Sequence, residues 1–130
     1  IFFAKVKNKK KITIWGNGSP KREFLHTDDF ADACIKIMKI SKKNYFGIVG
    51  TNTQFINVGY GKDISIKMLA KLICNIIDYR GKIFYDHSKP NGTFRKLIDS
   101  SKIKKINWAP KISLTAGINS IIKEFEEFKN

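Results

Sequence analysis

Arginine is scarce in this chain. Arg22, Arg80 and Arg95 are the only ones among 25 basic residues, and all the others are lysine. Cysteine is nearly absent, with only Cys34 and Cys74, and neither has a second Cys or a His at metal-ligand spacing. That excludes a disulfide framework and a cysteine-based zinc site. Each cysteine falls on the apolar face of an expected helix, where a free thiol acts as a small core hydrophobe. No apolar run approaches the ~20 residues that span a bilayer as a helix. The opening IFFAKVKNKKK places its apolar residues ahead of its charges, the reverse of a secretory signal. No membrane partner and a reducing cytoplasm are the expectation. Nucleophile elbow, P-loop and paired-carboxylate motifs are missing as well. The two histidines, His26 and His87, stand alone, which is more often a structural than a catalytic placement.

What is present is a globular composition: 130 residues, 42% hydrophobic and 12% aromatic, enough for one core. The net charge of +14 favours an anionic partner. Lysines scattered through every segment, however, read as a solvated face, so the informative cations are the rare arginines. The chain has no initiator Met, and Ile1 and Phe2 open straight into what looks like the end of a helix. A piece of a longer chain is expected.

Residues 12–15 (ITIW) read as a strand that runs into the turn formers Gly16-Asn17-Gly18-Ser19-Pro20. Glu23 to His26 follows as a second short strand. Asp28 is the expected N-cap of a helix from Asp29 to Ser41, with Phe30, Ala33, Cys34, Ile37 and Met38 on one face. Tyr45 to Thr53 reads as irregular, Phe55 to Val58 as a strand closed by glycines. Ser65 caps a helix with Ile66, Leu69, Ala70, Ile73, Ile76 and Ile77 inward. Lys82 to Tyr85 is a strand, and Ser100 to Ile106 a short helix. Ser113 caps a last helix with Leu114, Ile118, Ile121, Ile122 and Phe125 inward. The class is mixed α/β without repeats.

Two segments concentrate the scarce residue types. In Trp15 to Phe24 an aromatic and an arginine flank a glycine loop that a ligand can approach closely. In Lys89 to Lys96 a Pro-Asn-Gly turn leads to adjacent cations. Guanidinium forks match phosphate oxygens and lysine adds a point charge, so two such loops together fit a diphosphate. The same segments read equally as surface turns with solvated bases.

At these residues the sequence resembles the GDP-L-fucose synthases of the extended short-chain dehydrogenase/reductase superfamily. The likeness runs through IWGNGSPKREFLHTDDFADA, INVGYGKDISIKMLAKLI, YDHSKPNGTFRKLIDSSKI and NWAPKISLTAGI, in family order and nearly end to end. The REFL-x-x-DD-x-A block is common to sugar-nucleotide epimerases, whereas SKP-x-GT-x-RK-L-x-D is much more specific. The resemblance implies the C-terminal substrate-binding part of an NAD(P)-binding Rossmann-superfamily enzyme, over residues 1–130, with most of the Rossmann core missing. It implies an NADPH-dependent oxidoreductase and epimerase converting GDP-4-keto-6-deoxy-D-mannose to GDP-L-fucose, homodimeric at full length. Trp15, Arg22, Asn91 and Lys96 match substrate contacts: Arg22 and Lys96 would neutralise the diphosphate, Trp15 and Asn91 would shape the sugar or base end. Asn91 stands where the family has Asp, and Phe94 where it has Pro.

The glycine-rich fingerprint, the Ser and Tyr-x-x-x-Lys reduction apparatus and the Cys and His epimerisation pair would all lie upstream of Ile1. Catalytic, cofactor and metal residues are therefore not expected here; NADPH would bind the absent part, and the chain alone would be inactive. Residues 24–59 would pack back onto that part, exposing apolar surface without it. The alternatives are another sugar-nucleotide epimerase or dehydratase, a basic nucleic-acid-binding module, and a truncated product without activity. The second has only the charge and Lys9-Lys10-Lys11 in its favour, with no recognised motif and little arginine for base readout, so no nucleic-acid partner is expected.

Overall fold

A computed structural model describes residues 1–50 and 53–127. In chain order the elements are α1 (Phe2–Val6), β1 (Lys11–Trp15), β2 (Lys21–Glu23), α2 (Thr27–Met38), α3 (Lys42–Val49), β3 (Asp63–Ser65), α4 (Ile66–Ile76), β4 (Lys82–Asp86), β5 (Arg95–Lys96), α5 (Ser101–Lys104) and α6 (Leu114–Glu127). They form two compact units: one of Ile1–Arg22, Asp63–Lys96 and Ile118–Asn130, the other of Glu23–Lys62 and Leu97–Gly117.

In the first unit β1 and β4 pair in parallel, from Lys11 opposite Lys82 to Trp15 opposite Asp86. Parallel neighbours need a crossover, which here carries α4. That helix starts where the sequence places it: the Ser65 hydroxyl accepts from the Met68 amide at 3.2 Å. Its inward stripe ends on Ile77, which with Ala4 and Tyr79 forms the unit's core, joined by Phe2, Ile12, Ile73 and Ile122. The Tyr79 hydroxyl donates to the Lys9 carbonyl at 2.9 Å, so its polar end is satisfied. Cys74 packs against this core, although both cysteines are half-buried rather than buried. Burial pushes the Cys74 thiol above its ordinary pKa. Ile121 and Phe125 of α6, expected inward, are exposed; Phe125 still stacks edge-on with Phe2 at 5.5 Å.

The second unit is built on Ala33, Ile103 and Trp108, with Leu25, Ile37, Ile56, Val58 and Ile106 around them. Asp29, only 3% exposed, accepts from the Lys111 and Ile112 amides at 3.0 and 2.9 Å. The Trp108 indole donates to Asp32 at 2.9 Å. Glu23 accepts from the Gly61 and Ile98 amides at 2.5 and 3.3 Å. Gly59 is pressed against the same carboxylate: an added Cβ would lie 2.7 Å from its Oε1.

Further features of the fold differ from the expectations drawn from sequence. Helix α2 begins at Thr27, its N-cap is His26, and the His26 Nδ1 accepts from the Asp28 amide at 3.2 Å. Asp28 thus sits in the first turn, where a carboxylate favours the positive helix end. The helix stops at Met38 because Ser41 caps a further helix, α3, accepting from the Asn44 amide at 3.3 Å. Residues 45–49 are therefore helical, not irregular; 51 and 52 lie outside the described residues. Phe55 to Val58 is extended but has no ladder partner among the described residues. Its alternation still holds, since Ile56 and Val58 enter the core. The second strand covers Lys21–Glu23 rather than Glu23 to His26, because Lys21 and Arg22 hold the ladder to β5. Phe30 and Met38, assigned to the buried face of α2, are exposed.

Candidate functional site

The two segments singled out by composition meet in the first unit. Because β1 and β4 are parallel and in register, the loops after Trp15 and after Asp86 leave the same end of the pair. Carboxyl ends of parallel strands are where α/β folds hold ligands. The loops also finish side by side, since β2 and β5 pair in parallel with Lys21 opposite Arg95 and Arg22 opposite Lys96.

Between these two anchor points the loops are tied together. The Gly16 amide donates to the Asp86 carbonyl at 2.8 Å and the Asn17 amide to Asn91 Oδ1 at 2.7 Å. The Lys21 amide donates to the Phe94 carbonyl at 2.8 Å. Gly16 permits this approach: its φ is +70°, and a Cβ would stand 2.2 Å from Asn91 Oδ1. Gly18, at φ +71°, is also close to Tyr85, where a Cβ would stand 2.8 Å from the ring, and its carbonyl accepts from the Lys67 amide at 2.8 Å.

The register decides what the cations do. Neighbouring strands lie about 4.8 Å apart and successive side chains alternate faces. Arg22 and Lys96, being opposite each other, share one face; Lys21 and Arg95 share the other. Arg95 is ion-paired with Asp63. Arg22 and Lys96 have no carboxylate partner among the described residues. The Arg22 Nη1 donates to the Lys21 and Thr93 carbonyls at 2.7 and 2.8 Å, which fixes the guanidinium plane. Its Nη2 and Nε have no acceptor among the described residues. Two adjacent cations without a counter-ion, one of them pre-oriented, match the two charged groups of a diphosphate.

Trp15, at the end of β1, is 68% exposed, and the Lys89 ammonium lies 5.9 Å from its ring centroid. The Asn91 side-chain oxygen fastens one loop to the other. Asp63 and Lys89 also border these loops, and neither is given a role of its own by the sequence. Asp63 carries no local signal, because it is brought to Arg95 only by the sheet, whereas Lys89 lies inside a segment already marked. His26 belongs to the second unit as a helix cap, and no group of three or more metal-ligating side chains occurs among the described residues.

Residues 1–50 match the model of the NAD dependent epimerase/dehydratase family. The chain is 41% identical to GDP-L-fucose synthase 1 of Arabidopsis thaliana, over 89% of its own length and 33% of that protein. It is 39% identical to GDP-L-fucose synthase of Escherichia coli, over 95% of its length and 39% of that protein. The chain is thus similar to GDP-L-fucose synthases over most of its own length. Among solved structures it resembles a GDP-mannoheptose C4 reductase from Campylobacter jejuni with NADP bound: TM-score 0.78 and 35% identity, over 91% of this chain and 35% of that one. It spans about a third of the length of the curated relatives it matches.

The match of residues 1–50 to this family model raises the question of the dinucleotide. The one Gly-x-Gly turn that follows a strand here, Gly16-Asn17-Gly18, leads into β2 and not into a helix. Its amides already donate within the protein: Gly16 to Asp86, Asn17 to Asn91, and Ser19 to Asn17 Oδ1 at 2.9 Å. A dinucleotide cradle needs free amides at a helix N-terminus. This turn does not supply one.

Proposed function

We propose that this chain is the substrate-holding portion of an NADPH-dependent GDP-sugar epimerase and reductase of the GDP-L-fucose synthase type. Arg22 and Lys96 bind the diphosphate, and Trp15 lines the sugar or base end. Asn91 acts there through the loop it fastens, holding the two halves of the site at fixed separation. The observation that carries this reading is the Arg22–Lys96 pair, two neighbouring cations without a carboxylate on the face opposite the neutralised Arg95. The relatives support the nucleotide, since GDP appears in each of the names given above.

The catalytic groups and the NADPH site belong to parts of the protein outside this chain, which alone turns over no substrate. Segment 24–59 packs against those parts; its exposed Phe30, Ile35, Met38, Phe46 and Phe55 support that contact. The full-length enzyme works as a cytoplasmic homodimer.

The test is a thermal melt of the full chain with and without GDP. GDP raises the melting temperature, and Arg22→Ala or Lys96→Ala removes the rise, because only the binding-competent native state gains from ligand. A GDP-4-keto-6-deoxy-D-mannose turnover assay following NADPH absorbance then reports the reaction. Absence of any shift at millimolar GDP refutes the reading.

A further inference from the structure

A base-binding surface adjoins the anion pair. Phe94 is 67% exposed, although the backbone on either side of it is firmly held. The carbonyl before it, that of Thr93, accepts from Arg22 Nη1 at 2.8 Å; its own carbonyl accepts from the Lys21 amide at 2.8 Å; and Arg95 after it is paired with Asp63. The ring is thus presented to water by an ordered backbone, one residue after the carbonyl that holds the Arg22 guanidinium and about 7 Å along the chain from Lys96. An apolar ring gains nothing from such a position unless something covers it. An exposed aromatic beside a phosphate-type cation pair is the pattern by which proteins hold nucleotides: charge takes the phosphates and the ring stacks on the base.

We propose that Phe94 is the stacking platform for the purine of the nucleoside diphosphate whose phosphates Arg22 and Lys96 hold, a proposal that rests on the anion site above. A π-face accepts any base. Phe94 therefore contributes affinity for the nucleoside without selecting guanine, and ADP profits from it as GDP does.

The experiment is calorimetric titration of the full chain with GDP, ADP and inorganic pyrophosphate, for wild type, Phe94→Leu, Phe94→Trp and Arg22→Ala. Phe94→Leu keeps an apolar side chain but removes the ring. It weakens GDP and ADP by the same factor, about ten-fold, and leaves pyrophosphate unchanged, while Phe94→Trp restores nucleotide binding. Arg22→Ala weakens all three ligands. Equal GDP affinity for Phe94→Leu and wild type overturns the proposal while leaving the anion site intact. Pyrophosphate binding that does not respond to Arg22→Ala overturns both. A third outcome also counts against it: if Phe94→Leu lowers the ligand-free melting temperature, the ring is covered by another part of the protein and is no platform.

Discussion

Substituting Gly16 by alanine tests the way the two loops are joined. Gly16 sits at φ +70°, where an L-residue costs about 1–2 kcal/mol. The added methyl would also stand 2.2 Å from Asn91 Oδ1 and 3.0 Å from Asn91 Cα. The side chain can rotate away only by giving up its bond from the Asn17 amide, worth about 0.5–1.5 kcal/mol. The backbone atom cannot rotate away at all. A stiffer unfolded chain returns about 0.4–1 kcal/mol. The net expectation is a loss of about 2 kcal/mol, read as a lower urea midpoint with unchanged slope in the full chain. Asn91→Ala alone removes only the hydrogen bond, about 1 kcal/mol. The two changes are therefore not additive: the double variant is less destabilised than their sum, since Asn91→Ala also removes the atom the methyl strikes. Gly16→Ala within about 0.5 kcal/mol of wild type, a shift that ordinary surface changes produce, refutes the described loop contact. Strict additivity refutes the clash.

Three further outcomes follow from other parts of the chain. Asp29→Ala leaves the Lys111 and Ile112 amides without their acceptor at a buried site and costs about 2–5 kcal/mol by chemical denaturation. Gly47, inside α3 with nothing within 4 Å of where a methyl would stand, gains about 0.5–1 kcal/mol on replacement by alanine; the urea midpoint rises accordingly. Asp99 is held below the ordinary carboxylate pKa by hydrogen bonds from the Ser101 amide and hydroxyl. A depressed native pKa gives stability that is complete above the unfolded value of about 4 and lost as pH falls through the native one. Asp99→Asn therefore lowers the melting temperature at pH 7, and the difference from wild type shrinks as the pH falls through that acidic range.

Much of the fold was legible because short-range patterns specify it. β1 and β4 announce themselves by β-rich runs ending in turn formers, α4 and α6 by apolar spacing and by Ser65 and Ser113, whose hydroxyls accept from the amides three residues on. His26 is hidden as a cap because imidazole is a rare choice beside two aspartates, which the usual ranking favours. Helix α3 is hidden because Gly47 and its aromatic neighbours weaken a helical pattern that Ser41 nonetheless starts. Arg22 and Lys96 are visible as scarce or clustered cations. Their adjacency is not, because it depends on the parallel register across more than seventy residues. For the same reason no local signal tells Arg95, which Asp63 neutralises, from Arg22, which no carboxylate does.

The central claim is that Arg22 holds the diphosphate, and the most direct measurement is GDP affinity by titration calorimetry for the full chain with Arg22→Ala and, as control, Arg80→Ala. Arg80 is equally a rare arginine but is paired with Asp78 and lies outside the two loops. Loss of a charge-assisted contact to phosphate, worth about 1.5–3 kcal/mol, weakens GDP about 10- to 100-fold for Arg22→Ala and leaves Arg80→Ala at wild-type affinity. Equal affinity for Arg22→Ala and wild type, or an equal loss in both variants, contradicts the account.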